Sequence, residues 1–444
     1  MMDWDHLLSS LRFGQEHLSG LRPHARTEFQ RDYDRIIFSS AFRRMQSKTQ
    51  VFPLPGIVFV HNRLTHSLEV SCVGRSLANN AASAFIEKYK GEEWTWKLES
   101  LDDVVATACL AHDMGNPPFG HSGERAISSY FSEGNGKSLE SELDEQQWMD
   151  LIHFEGNANA FRLLSHQFNG RRAGGFALTY STLASVIKYP YPSTAAGKKG
   201  KFGYFKAESD GFHRLMKELR IEPADAEGKC FSRHPLVFLV EAADDICYQI
   251  MDIEDAHHLK ILSTDETREL LLGFLDGERR SHVEERMNLF ASDVNEQIAY
   301  LRSCAIGTLV HECSEAFISH EEEILRGRFM TPLMDLISET PKQAYRHCSE
   351  VAVSKIYNTS DVVDIEIAGH RIFSVLLDRY LEAVLWPDRV ASKLLLSRVP
   401  RQYEMRSPEL YCRLLAVLDY ISGMTDEYAL DLYRKISGIS LPTL

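Results

Sequence analysis

From Leu64 onward the apolar residues Leu68, Val73, Leu77, Ala81 and Phe85 recur at three- to five-residue steps. Steps of that size put side chains on one stripe of a helix, whereas a half-buried strand would alternate them. Leu236 to Ile253, Leu301 to Phe317 and Leu410 to Ile421 repeat the pattern, and Leu101 to Leu110 is apolar almost throughout. Alternation of the strand kind is confined to Val58-Phe59-Val60 and the stretch Val362 to Ile367. The expected fold is therefore all-α. Polar or Gly/Pro-rich excursions at Glu133 to Gln147, Tyr189 to Lys201 and Glu222 to Arg233 break the helices, the second of them reading as mobile. None is long enough to be an interdomain linker, and there is no internal repeat. A helical core over residues 1–255 followed by an elaborated helical part over 256–444 is expected, a division also compatible with one continuous domain.

The end of the Leu101 to Leu110 stretch carries the first chemistry, the adjacent pair His112–Asp113. Helical neighbours lie about 100° apart, so two side chains at a helix end diverge yet can grip one ion from two sides. Imidazole with carboxylate suits a borderline divalent metal better than purely hard calcium. The eight cysteines include no CxxC pair, which points to a reduced, cytoplasmic protein and not a disulfide scaffold. Cys72, Cys109 and Cys247 fall in stretches read as buried helix. The start, Met1-Met2-Asp3-Trp4, has no leader character, and no apolar run reaches the ~20 residues needed to span a bilayer. With 49 basic and 63 acidic residues the net charge is −14, which argues against a dedicated duplex-DNA binder. Polyanionic nucleotides would need local compensation by a metal and a few placed cations.

Three segments carry a family resemblance: Asn62-Arg63-Leu64-Thr65-His66-Ser67; Ala111-His112-Asp113-Met114-Gly115-Asn116-Pro117-Pro118-Phe119-Gly120-His121-Ser122-Gly123-Glu124; and Glu241-Ala242-Ala243-Asp244-Asp245-Ile246. In this order they resemble the bacterial deoxyguanosine-triphosphate triphosphohydrolases. These belong to the HD-domain metal phosphohydrolases and are similar to the SAM-and-HD-domain dNTP hydrolases. The resemblance implies an HD-domain core and one divalent ion held by His66, His112, Asp113 and Asp244. Two imidazoles and two carboxylates leave open positions for water and a phosphate oxygen, as a catalytic site requires. Manganese or magnesium is expected, with iron, cobalt, nickel and zinc also compatible with these donors. Asp244, Tyr248 and Asp252, spaced four apart, drift only ~40° per step and share one helix face. Asp245 points about 100° away, toward a capping or salt-bridging role. His257-His258 reads as surface.

In the resembling enzymes a His/Glu pair catalyses, which assigns that role to His121 and Glu124. A histidine of ordinary pKa ~6.5 can protonate a leaving oxygen at working pH, and a carboxylate three residues on can orient it. Arg63 is a candidate phosphate clamp, because guanidinium grips phosphate bidentately. Lys188 resembles the family's triphosphate-contacting lysine, with Lys206 a weaker candidate. Gln50 resembles the residue beside the base or sugar, Tyr248 and Asp252 match sugar contacts, and Glu366 is a distant counterpart of another base-side residue. Arg26, Arg31, Arg35, Arg43 and Arg44 are dense enough to serve a surface, an interface, or an allosteric nucleotide or nucleic-acid groove.

The leading functional expectation is a metal-dependent dNTP triphosphohydrolase, cutting at the α-phosphorus to give deoxynucleoside and tripolyphosphate. An HD-type nucleotide phosphomonoesterase or phosphodiesterase is the second reading. A non-catalytic nucleotide or single-strand nucleic-acid binder on the same fold is the third. The resemblance also implies a homo-oligomer, an allosteric dNTP or single strand as further partner, and no membrane. It leaves open which dNTP is preferred.

Overall fold

The structure, a computed structural model, describes residues 1–18, 26–51, 60–290, 292–357 and 360–440. These residues form helices and turns, with isolated backbone bridges and no strand among them. The fold is all-α. The helices that build the site are α1 (Glu28–Ile37), α2 (Arg63–Lys88), α3 (Leu101–Ala111), α4 (Gly120–Ser132), α5 (Gly156–Ser165), α6 (Val237–His258), α7 (Val294–Ser319), α8 (Glu339–Val351), α9 (Ser360–Leu385), α10 (Leu410–Ser422) and α11 (Asp426–Ile436).

Helix α3 is the axis of the first apolar core. Every residue from Val104 to Ala111 is buried, so no polar stripe is left to face water. It packs closely against α2 because Gly74 leaves room: a Cβ there would stand 2.5 Å from Cys109 Sγ and 3.1 Å from Val105 Cγ1. Leu77 and Phe85 of α2, Ile246 and Ile250 of α6, and Leu309 and Phe317 of α7 complete this core. A second core joins Ile127 and Phe131 of α4 to Phe373 and Leu377 of α9, Leu414 and Val417 of α10, and Ala429 of α11. Helix α5 touches both, placing Ala158 in the second and Phe161 and Leu164 in the first. The two cores meet across the segment from His112 to His121.

Some helix ends are specified locally. Asn62 caps α2 through a reciprocal pair of bonds: its Oδ1 accepts the Thr65 N–H at 3.0 Å, and Thr65 Oγ1 accepts the Asn62 N–H at 3.0 Å. Arg63 and His66 are thereby fixed in the first turn. Other expectations are corrected. The stretch Val362 to Ile367 is not a strand; it lies inside α9, with Ile367 exposed on the outer face. Val58 and Phe59 of the other strand candidate fall outside the described residues. Leu68 is 41% exposed and Cys72 is also exposed, because both sit on the outer side of α2, while Cys109 and Cys247 are buried as expected. No described helix is long and apolar enough to cross a membrane.

Candidate metal and catalytic site

Helices α2, α3 and α6 bring His66, His112, Asp113 and Asp244 together. His66 Nε2 lies 3.1 Å from Asp244 Oδ1, and His112 Nε2 lies 3.5 Å from the same oxygen and 3.7 Å from Asp113 Oδ1. One donor atom each of His66, His112 and Asp113 falls within 4.8 Å of the others. His112 Nδ1 donates to the Cys109 carbonyl at 2.6 Å, which leaves Nε2 bare and turned inward. That Nε2 is buried and has no hydrogen-bond partner. A bare buried nitrogen beside two carboxylates fits a divalent cation. Burial opposes charge on His112, yet Asp113 and Asp244 draw it up to about 9. Against the same burial, Arg63 and both imidazoles hold Asp113 below the usual carboxylate range. A cation competes with the imidazole protons for these donors.

His112, Asp113 and Asp244 form one wall of a cleft of about 290 Å³, which Gln50, Arg63, His121, Glu124, Lys188 and Tyr248 also border. The His121 side chain is 65% exposed and its Nδ1 meets Glu124 Oε2 at 2.8 Å. Glu124 is buried, and its other oxygen accepts the Gly156 N–H at the start of α5, at 2.8 Å. Burial alone would raise this carboxyl, but His121 and Lys201 hold it low. The pair is thus a fixed carboxylate beneath a histidine that looks into the cleft.

Arg63 is more than a cleft cation. Its Nη1 donates to Asp113 Oδ2 at 2.6 Å, and Asn116 Nδ2 holds the other oxygen of the same carboxylate. Its Nη2 lies so near Gly120 that a Cβ at that glycine would stand 2.6 Å away, on a backbone with φ +57°. Gly120→Ala therefore strains the backbone and pushes the guanidinium off Asp113. The expected result is a loss of about tenfold or more in turnover, read in steady-state assays. Turnover at the wild-type rate would show that Arg63 gives way freely.

The remaining expected residues divide. Lys188 borders the cleft with Nζ 3.2 Å from Glu241 Oε1, and Arg233 holds the other Glu241 oxygen at 3.0 Å. Asp252 shares the α6 face but does not border the cleft; its carboxylate accepts the Tyr357 hydroxyl at 2.6 Å. Burial pushes Asp252 up to about 8. Asp245 turns away as its register requires, but it makes neither cap nor ion pair among the described residues. Burial and Asp244 push its carboxyl to about 7. Lys206 pairs with Asp144, and Glu366 with Arg125, both outside the cleft. Arg35 and Arg44 border a separate cavity of about 450 Å³, whereas Arg26 and Arg31 pair with Asp34 and Glu28.

Sequence reasoning missed Glu155, Asn157, Tyr189 and Lys201, all on the cleft wall. Glu155 caps α5, accepting the Asn157 N–H at 2.7 Å, and its other oxygen takes Lys201 Nζ at 2.7 Å. An acid one residue before a helix-opening glycine was the available signal for Glu155.

The HD domain family model matches residues 63–158, which hold three of the four cluster residues and the His121–Glu124 pair. The Phosphohydrolase-associated domain model matches residues 336–435. A Synechocystis protein named deoxyguanosinetriphosphate triphosphohydrolase-like is 38% identical, over 99% of this chain and 100% of its own length. A Pseudomonas aeruginosa protein of the same name is 36% identical over the whole of both chains. A Yersinia enterocolitica protein named deoxyguanosinetriphosphate triphosphohydrolase is 31% identical, over 92% of this chain and 93% of its own. With full-length likeness added to an HD-type cluster on an all-α scaffold, the chain belongs to the deoxyguanosinetriphosphate triphosphohydrolase-like family of HD-domain phosphohydrolases.

Proposed function

We propose that this protein is a metal-dependent deoxynucleoside triphosphate triphosphohydrolase, releasing deoxynucleoside and tripolyphosphate. The observation that carries this reading is the His121–Glu124 pair at 2.8 Å in the same cleft as the His/Asp cluster. His66, His112, Asp113 and Asp244 are the residues that would hold the cation. When bound, a divalent cation there neutralises charge on a phosphoryl oxygen and makes water a stronger acid. His121, with Nδ1 engaged by Glu124, offers Nε2 to the departing 5′-oxygen as a proton donor. Glu124 is tied to the Gly156 N–H, so it orients the imidazole without moving itself. Arg63, Lys188 and Lys201 supply the positive charge a triphosphate requires, and Gln50 and Tyr248 are candidates for the sugar and base. Eight free cysteines agree with a reducing compartment, in keeping with a cytoplasmic enzyme.

Purified protein incubated with each dNTP and Mg²⁺ or Mn²⁺, followed by chromatography of the phosphate products, tests the reading. Tripolyphosphate with free deoxynucleoside is expected. Orthophosphate would make the protein a phosphomonoesterase, and no product would make it a binder. Lys188→Met should raise KM for dNTP about 10- to 100-fold with a smaller change in kcat, as loss of a charged hydrogen bond to phosphate predicts. An unchanged KM would remove Lys188 from the substrate contacts.

A further inference from the structure

The segment between Asp113 and His121 is gripped from outside by two buried charges that belong to neither the cation cluster nor the acid pair. Lys48 Nζ donates to the Asn116 carbonyl at 2.6 Å and to the Ser422 carbonyl, at the end of α10, at 2.8 Å. Asp426, the first residue of α11, grips further along. Its Oδ1 accepts the Phe119 N–H at 3.0 Å, and its Oδ2 accepts the Thr49 N–H at 2.8 Å and the Thr49 hydroxyl at 2.6 Å. Asp426 is 5% exposed, so these donors are its compensation for leaving water.

Phe119 is the residue this second grip serves. Its backbone stands at φ 61°, ψ 19°, the left-handed region, directly before α4 and two residues before His121. A bulky L-residue holds that conformation only where its surroundings impose it. The ring lies edge-on to Phe373, 6.2 Å between centroids, which fixes the side chain. The peptide N–H is fixed by Asp426. Rotation of this one peptide would swing the first turn of α4, and with it the direction of His121.

Building on the reading of His121 as proton donor, we infer that Asp426 is a positioning residue, holding Phe119 left-handed so that α4 presents His121 to the cleft. The C-terminal helices are then part of the active site, although Asp426 touches no reacting atom. The same carboxylate also holds Thr49 through its N–H and its hydroxyl.

A double-mutant cycle tests this. Asp426→Asn keeps the shape but turns an amide N–H toward one of the two backbone donors. Its kcat should fall about 30- to 100-fold, as a small misplacement of an acid predicts, with KM and bound Mn²⁺ within about twofold of wild type. Glycine adopts φ near +60° unaided, so in a Phe119→Gly background the same change should cost less than about threefold. Equal fold-losses in both backgrounds, or an Asp426→Asn enzyme with wild-type kcat, would overturn the inference. Should Asp426→Asn alone fail to fold, the double variant decides: it must fold and turn over. Hydrogen exchange at the Phe119 amide supplies a readout free of substrate, expected to accelerate at least about tenfold in folded Asp426→Asn. A wild-type protein inert toward every dNTP would instead sink the hydrolase reading, and the exchange result would still judge the grip.

Discussion

Asp113→Ala is expected to abolish hydrolysis and divalent-cation binding together. Asp113 supplies one of the two carboxylates of the cluster, and its second oxygen is the partner of the Arg63 guanidinium at 2.6 Å. The Arg63 side chain is only 4% exposed, and its Nε already lacks a hydrogen bond. Alanine leaves that guanidinium buried without its counter-charge, a cost of about 3–5 kcal/mol when one partner of a buried pair is removed. It also leaves His66 and His112 facing Arg63 with Asp244 alone to neutralise them. Cation affinity should fall at least about 100-fold, read by calorimetric titration with Mn²⁺, and product formation should drop below detection. Asp113→Asn separates the centre from the fold. Its amide oxygen can still accept from Arg63, so the melting transition should fall less than in Asp113→Ala while cation and turnover are lost. An Asp113→Asn enzyme that keeps both would place the metal centre elsewhere.

What could be read from the chain alone was local geometry. The buried stretches Leu101 to Leu110 and Leu236 to Ile253 are helices because their apolar period was long and nearly unbroken. His112–Asp113 at a helix end follows from the glycine and prolines after it, whereas Glu124, expected in the first turn of the next helix, lies just beyond that turn of α4. A stripe read in three- to five-residue steps does not fix an angle to better than a residue, so it points Leu68 and Cys72 inward although both face out. In the stretch Val362 to Ile367 apolar and acidic residues alternate only over the five positions from Val363. So short a run does not separate a strand from the outer face of a helix. Partner choice across the chain left no signal of this kind. Lys201 sits in a lysine run that reads as a solvated loop, yet the chain folds back to set it on Glu155. Asp252 has the right register on α6, but a tyrosine 105 residues away takes its carboxylate. Asp426 meets Phe119 over 307 residues and Thr49 over 377, and nothing near it in sequence announces either.

His121→Ala should leave cation binding and KM nearly intact while lowering kcat about 10²- to 10⁴-fold, the usual contribution of a general acid. That is roughly 3–5 kcal/mol of barrier. The side chain hydrogen-bonds Glu124 and none of the four cluster residues, so its removal takes nothing from the cation donors. Glu124 stays anchored by the Gly156 N–H and keeps Lys201 at 3.7 Å as counter-charge, so the variant should fold. Glu124→Gln should show a defect of similar size that does not add to the first, because the two side chains act as one unit. The decisive comparison changes the leaving group. A nucleoside 5′-oxygen needs a proton as the bond to phosphorus breaks, whereas a nitrophenolate departs without one. With a nitrophenyl ester of tripolyphosphate as substrate, the His121→Ala defect should shrink toward unity while Asp113→Asn stays inactive. A defect of equal size on both substrates would mean that His121 orients the phosphates and does not protonate the leaving oxygen. Loss of the cation in His121→Ala would make the residue a ligand.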